Sequence, residues 1–180
     1  MPSEKTGNLA IGNHENLLVI KLAGRCTVTM STCLSRLLDR CRRPQITDVY
    51  VDLSEVEYMD STCVGLVVSL ALKKNDASVP RIHLLRPSSA VVRILETMLV
   101  LDHLECCDAL PTAIAEWKEL PVEATDQADL AAVMIDAHEN LIKADARNVE
   151  VFGPVVDGLR AYRRAEEAKV PARDRGPGVV

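Results

Sequence analysis

Apolar and polar positions along the chain divide into short runs with strand or helix spacing. Residues 9–12 and 17–23 are apolar runs of strand length, parted by the turn-rich Asn13-His14-Glu15-Asn16, which predicts an opening hairpin. From 28 to 42 the period changes: Leu34, Leu37, Leu38 and Cys41 recur at helical spacing, and Pro44 closes the connection. Residues 46–53 read as a strand, because Val49, Val51 and Leu53 alternate with Asp48, Tyr50 and Asp52. A loop over 54–59 leads into a helix over 61–75. Pro80 and Pro87 bound a strand over 81–85, and a helix over 88–98 takes Ser88 as its cap. A strand over 104–106 and a helix over 112–119 complete the order β-β-α-β-α-β-α-β-α.

Strands separated by helices of this length pair in parallel through right-handed crossovers, whereas the opening hairpin is antiparallel. The expected fold is therefore an α/β domain over residues 9–118, a mixed sheet covered by helices, preceded by a segment at 1–8. A C-terminal helical extension over 119–168 follows, in which Leu130, Met134, Ala137, Leu141, Asn148, Phe152, Val156 and Leu159 keep a helical stripe with Thr125 or Asp126 as cap. Gly153-Pro154 falls inside that stripe and is expected to break, kink or restart the helix. The stripe has two readings: it packs back on the domain, or it forms an arm for homodimerisation or partner docking. Residues 169–180, rich in proline, glycine and charge, read as a disordered tail.

Composition narrows the function. Aromatics make up 3% of the chain, too few for the stacking platforms of single-stranded nucleic-acid binders. A net charge of −5 argues in the same direction, since phosphate backbones are held by Lys and Arg. No apolar run reaches membrane-spanning length and the first residues do not read as a secretion signal, so the expected location is the cytoplasm, with no direct membrane insertion. The six cysteines lack the short paired spacings of zinc sites, and the four histidines show no metal spacing; no metal, cofactor or histidine chemistry is expected.

The informative segment runs from Val49 to Leu66, where a buried strand gives way to Asp60-Ser61-Thr62 and an apolar helix. Oxygen-bearing side chains at a helix start accept backbone N–H groups that lack an intrahelical partner, which is sufficient reason for these residues. The same place also suits a switch. A hydroxyl at an exposed helix start is reachable by a kinase, and a phosphate there would sit on free N–H groups and the helix dipole.

Val51-Asp52-Leu53, Val56, Met59-Asp60-Ser61-Thr62 and Gly65-Leu66 resemble the central motif of STAS domains of the anti-sigma factor antagonist type. Leu22-Ala23-Gly24-Arg25 resembles the family's strand-to-helix signature, and the segment from Leu84 to Leu95 resembles its later strand and helix. The resemblance implies partner switching without catalysis: the unphosphorylated module binds an anti-sigma factor that is also a Ser/Thr kinase, phosphorylation abolishes binding, and a Ser/Thr phosphatase restores it. Carried over, the acceptor is Ser61, with Thr62 as the alternative, and the partner surface comprises Gly24, Arg25, Asp60, Ser61, Thr62 and Cys63. Cys63 departs from the family's usual glycine, and a thiol at a helix start is a candidate for a lowered pKa. The alternative function is a non-phosphorylated STAS subunit of a lipid-transport or signalling assembly, in which Ser61 is only a cap. An enzyme would need a glycine-rich phosphate loop or a convergent acid, base and nucleophile, and neither pattern occurs.

Overall fold

A computed structural model describes residues 7–41, 43–73, 76, 79–122 and 126–169 of the chain. Strands β1 (Asn8–His14) and β2 (Leu17–Cys26) form the antiparallel hairpin, turned over Glu15 at a positive φ of 52°. The alternation at 49–53 belongs to β3 (Asp48–Met59), which lies parallel to β2; β4 (Arg81–Leu85) lies parallel to β3, and β5 (Glu105–Cys107) parallel to β4. The last strand, β6 (Trp117–Leu120), runs antiparallel to β1, giving a mixed six-stranded sheet ordered β5-β4-β3-β2-β1-β6.

Two strand assignments differ from the sequence reading. Residues 54–59 are not a loop: β3 continues to Met59, pairing Ala23 with Glu55 and Cys26 with Met59, and takes one extra residue at each of two register shifts, opposite 21–23 and 24–25 of β2. Gly24, at φ 70°, sits at one of those shifts, where a side chain would strain the backbone. The segment expected as a helix over 112–119 ends instead in β6, because the outer edge of β1 offers unpaired backbone groups that outweigh the helix preference of Ala, Glu and Lys.

Helices α1 (Val28–Arg40), α2 (Ser61–Ala71) and α3 (Ser89–Thr97) start where the periodicity places them, although α2 ends at Ala71 rather than running on towards 75, and Ser88 accepts the Val91 amide as the cap of α3. The extension is a helical hairpin of α4 (Gln127–Ala144) and α5 (Val149–Lys169). Asp126 precedes α4 and takes the Leu130 amide on its carbonyl, whereas Thr125 and the tail from 170 lie outside the described residues. Pro154 neither ends nor restarts α5; it is exposed, so water can take the carbonyl it leaves unpaired. The chain reverses earlier, at a short 3-10 turn over Ala146–Asn148, where Asp145 accepts the Arg147 amide.

The stripe packs inward. Ala137, Leu141 and Phe152 join Val51, Val64, Val68 and Leu34 in one contiguous core, and each fully buried Val or Leu side chain contributes about 1.5–3 kcal/mol. Asn148 is buried and donates to the carbonyls of Met98 and Leu141, both at 2.8 Å, while His103 reaches the Ala144 carbonyl at 2.9 Å. These bonds tie the hairpin's turn to the end of α3. On α5, Val149, Val151, Val155 and Tyr162 remain exposed.

Candidate functional site

The ends of β2 and β3 deliver Arg25 opposite Tyr58 and Cys26 opposite Met59, so the starts of α1 and α2 emerge side by side. Asp60 stands between them. Its Oδ1 accepts the Cys63 amide of α2 at 2.9 Å, and its Oδ2 accepts the Val28 amide of α1 at 2.6 Å. Thr27 precedes α1 without a side-chain cap of its own, so one carboxylate serves two helix starts. Asp60 is thus a buttress of the surface as well as part of it.

The capping duty falls on Asp60, which leaves the Ser61 hydroxyl for another partner. Ser61 is half-buried, and its Oγ lies 2.9 Å from Nε2 of His138 on α4. The other ring nitrogen, Nδ1, is 2.7 Å from the Met134 carbonyl, which can only accept; Nδ1 therefore carries a proton, and in the neutral ring Nε2 accepts the Ser61 hydroxyl. His138 is 3% exposed, and its ring centroid lies 5.3 Å from that of Phe152 on α5. One turn along α2, a Cβ on Gly65 would collide with the Ala137 backbone, so glycine there lets α4 approach α2 at backbone distance.

The other candidate residues divide between surface and core. Arg25 is exposed, its guanidinium 4.5 Å from the centre of the Tyr58 ring, and it shares the Ser61 end of the sheet. Gly24 is buried beneath it. Thr62 and Cys63 are corrected: at 2% and 0% exposure their side chains point into the core, so Thr62 offers no accessible hydroxyl and Cys63 no surface to a partner. The Cys63 thiol donates to the Thr27 carbonyl at 3.4 Å, and burial, followed by the nearby Asp60 charge, pushes its pKa upward, the reverse of a reactive thiolate. His138 escaped the sequence reading because a single histidine on an apolar stripe carries no motif. The available signal was its position, one helical turn after Met134 and three residues before Leu141, which turns it to the buried side.

Among the described residues no group of three His, Cys, Asp or Glu side chains is placed to hold a metal ion, and no helix is long and apolar enough to cross a membrane. A half-buried hydroxyl bonded to an imidazole, next in the chain to a capping carboxylate, can bind, or carry a group that alters binding.

A family model described as "Mlab, STAS domain" matches residues 9–104. The anti-sigma-B factor antagonist of Staphylococcus aureus (strain NCTC 8325 / PS 47) is 31% identical over 91 residues, covering 49% of this chain and 82% of that protein. The anti-sigma-B factor antagonist of Staphylococcus epidermidis matches with the same identity and coverage, 31% over 91 residues. Among solved structures, the anti-sigma factor antagonist SpoIIAA in its unphosphorylated form shares 20% identity at a TM-score of 0.49, covering 57% of this chain and 89% of that one. The Bacillus cell fate determinant SpoIIAA in its phosphorylated form shares 18% identity at a TM-score of 0.47, covering 57% and 92%.

Proposed function

This chain belongs to the STAS domain family, and from that premise we propose that it acts as an anti-sigma factor antagonist whose partner surface surrounds Ser61 and is switched by phosphorylation there. The observation that carries this reading is the division of labour at the start of α2. Asp60 performs the capping, so the Ser61 hydroxyl is not needed by the backbone and remains half-exposed at the end of the sheet that also carries Arg25 and Tyr58.

The partner is an anti-sigma factor with Ser/Thr kinase activity, met in the cytoplasm. In the transfer, the Ser61 Oγ–P bond forms as the bond from the γ-phosphorus to the bridging oxygen of a nucleoside triphosphate breaks; nucleoside diphosphate leaves and the hydroxyl gives up its proton to a base. The product carries about −1.5 to −2 charges within the area a partner must desolvate. Asp60 cannot turn away to relieve the repulsion without uncapping both helices. A Ser/Thr phosphatase resets the surface by hydrolysis.

The test is co-purification with the candidate anti-sigma factor or kinase, with binding and intact mass measured for wild type, Ser61→Ala and Ser61→Asp. One phosphate that appears only when Ser61 is present, together with loss of binding in Ser61→Asp alone, supports the switch. Equal binding of all three without labelling overturns it and leaves a constitutive subunit role.

A further inference from the structure

The contact between Ser61 and His138 joins the switch position to a hairpin that lies outside the segment matched by the family model. The imidazole is fixed on three sides: Nδ1 on the Met134 carbonyl, the ring near Phe152, and Nε2 on the Ser61 hydroxyl. Gly65 brings the Ala137 backbone against α2 immediately beside it. A ring so packed cannot swing clear of Ser61 unless α4 itself moves.

We propose that the first half of α4 is a cover over the start of α2, latched through His138 by the free Ser61 hydroxyl and released when Ser61 carries a phosphate. The proposal rests on Ser61 being the switched residue. Phosphorylation replaces the Ser61 Oγ–H with an Oγ–P bond, so the bond to Nε2 loses that donor. In its place come a phosphorus and three oxygens carrying about −1.5 to −2 charges, set against a ring that is 3% exposed and 2.9 Å from Oγ while α4 is docked. The Asp60 carboxylate, held by the amides of Val28 and Cys63, adds its charge from the side of α2.

The release is local. The far end of the hairpin is held independently of Ser61, by Asn148 on the Met98 and Leu141 carbonyls and by His103 on the Ala144 carbonyl. Residues 127–138 therefore lift while the turn over Ala146–Asn148 stays in place. The unmodified chain presents the Ser61 surface with α4 docked. The phosphorylated chain loses that surface and gains an exposed apolar strip on α4, including Ala131, Ile135 and Ala137, which are buried in the docked state.

Hydrogen–deuterium exchange on the full chain tests this, with phosphoserine installed at position 61 during translation so that no kinase is needed. Amides of 127–138 are expected to exchange about tenfold faster than in wild type, with 141–148 and the β2–β3 amides changing by less than about twofold. Ser61→Asp is expected to shift the same peptides in the same direction, and Ser61→Ala, which loses the latch without adding charge, to shift them less. Unchanged or slower exchange over 127–138 in the phosphoserine protein would overturn the proposal. That failure is separate from failure of the switch itself, which shows as absence of phosphate incorporation at Ser61 when the kinase is present.

Discussion

The carboxylate of Asp60 accepts the amide of Val28 at 2.6 Å, so the residue that opens α2 also closes the start of α1, 32 positions earlier in the chain. Asp60→Ala removes both caps and is expected to lower the unfolding free energy by about 2–3 kcal/mol. Asp60→Ser, which can reach one amide at a time, should recover about half of that loss. Urea titration followed by far-ultraviolet circular dichroism measures both.

Gly65 and Gly158 lie in helices with opposite surroundings. A Cβ at Gly65 meets the Ala137 backbone, whereas nothing lies within 4 Å of one at Gly158. Gly158→Ala should therefore stabilise by about 0.5–1 kcal/mol through backbone entropy. Gly65→Ala should destabilise by about 1–3 kcal/mol, because α4 must give way. Thermal melting of the two variants, with opposite signs expected, checks the packing of α4 on α2.

Asp52 of the family-like motif is 3% exposed; it accepts the Ser54 amide on one oxygen and the Arg86 guanidinium on the other, both at 3.0 Å. Arg86→Leu leaves that carboxylate without its counter-charge. Because Arg86 is itself half exposed, the expected cost is about 2–3 kcal/mol, below that of breaking a fully buried pair. A shift of the urea midpoint with an unchanged slope is the expected form of the result.

Burial, then the Glu139 charge, raises the Asp136 pKa above 3.8 and outweighs the pull of Lys143 and Arg163; Asp39 adds a further push. The native state thus holds this proton to higher pH than the unfolded chain, so the side chain favours folding at low pH and that contribution disappears as pH rises through the raised value. At pH 7 its ionised form is a net cost. Asp136→Asn should gain up to about 0.5 kcal/mol there, given the site's exposure to solvent, and the gain should shrink towards zero below pH 3.8. Stability profiles of both proteins between pH 3 and 8, a range of about one unit below to four above the unfolded value, give the comparison.

Cys106 is exposed, whereas Cys26, Cys41 and Cys63 are buried. Burial raises the thiol pKa of Cys26 and Cys41 to about 12 and pushes that of Cys63 upward as well. Alkylation of the native protein by iodoacetamide should therefore mark Cys106 first and leave Cys63 untouched until urea unfolds the chain. Peptide mapping that found Cys63 modified as fast as Cys106 in the native protein would return it to the surface.

The sequence by itself determined whatever depends on spacing along the chain. Alternation of Val49, Val51 and Leu53 with polar neighbours is enough to make a strand with one face in the core, and the stripe through Ala137, Leu141 and Phe152 is enough to make helices that bury one side. The motif around Asp60 and Ser61 likewise marked the end of the sheet where the site lies. Tertiary structure alone decided what those elements meet. The segment before Leu120 became a strand because β1 had an open edge, a fact invisible within a local window. Thr62 and Cys63 turned inward while Ser61 stayed half-exposed, because α2 is buried on nearly all sides once α4 lies across it. The pairing of Ser61 with His138 spans 77 positions and depends on where the hairpin folds back, and no period in the chain encodes that distance.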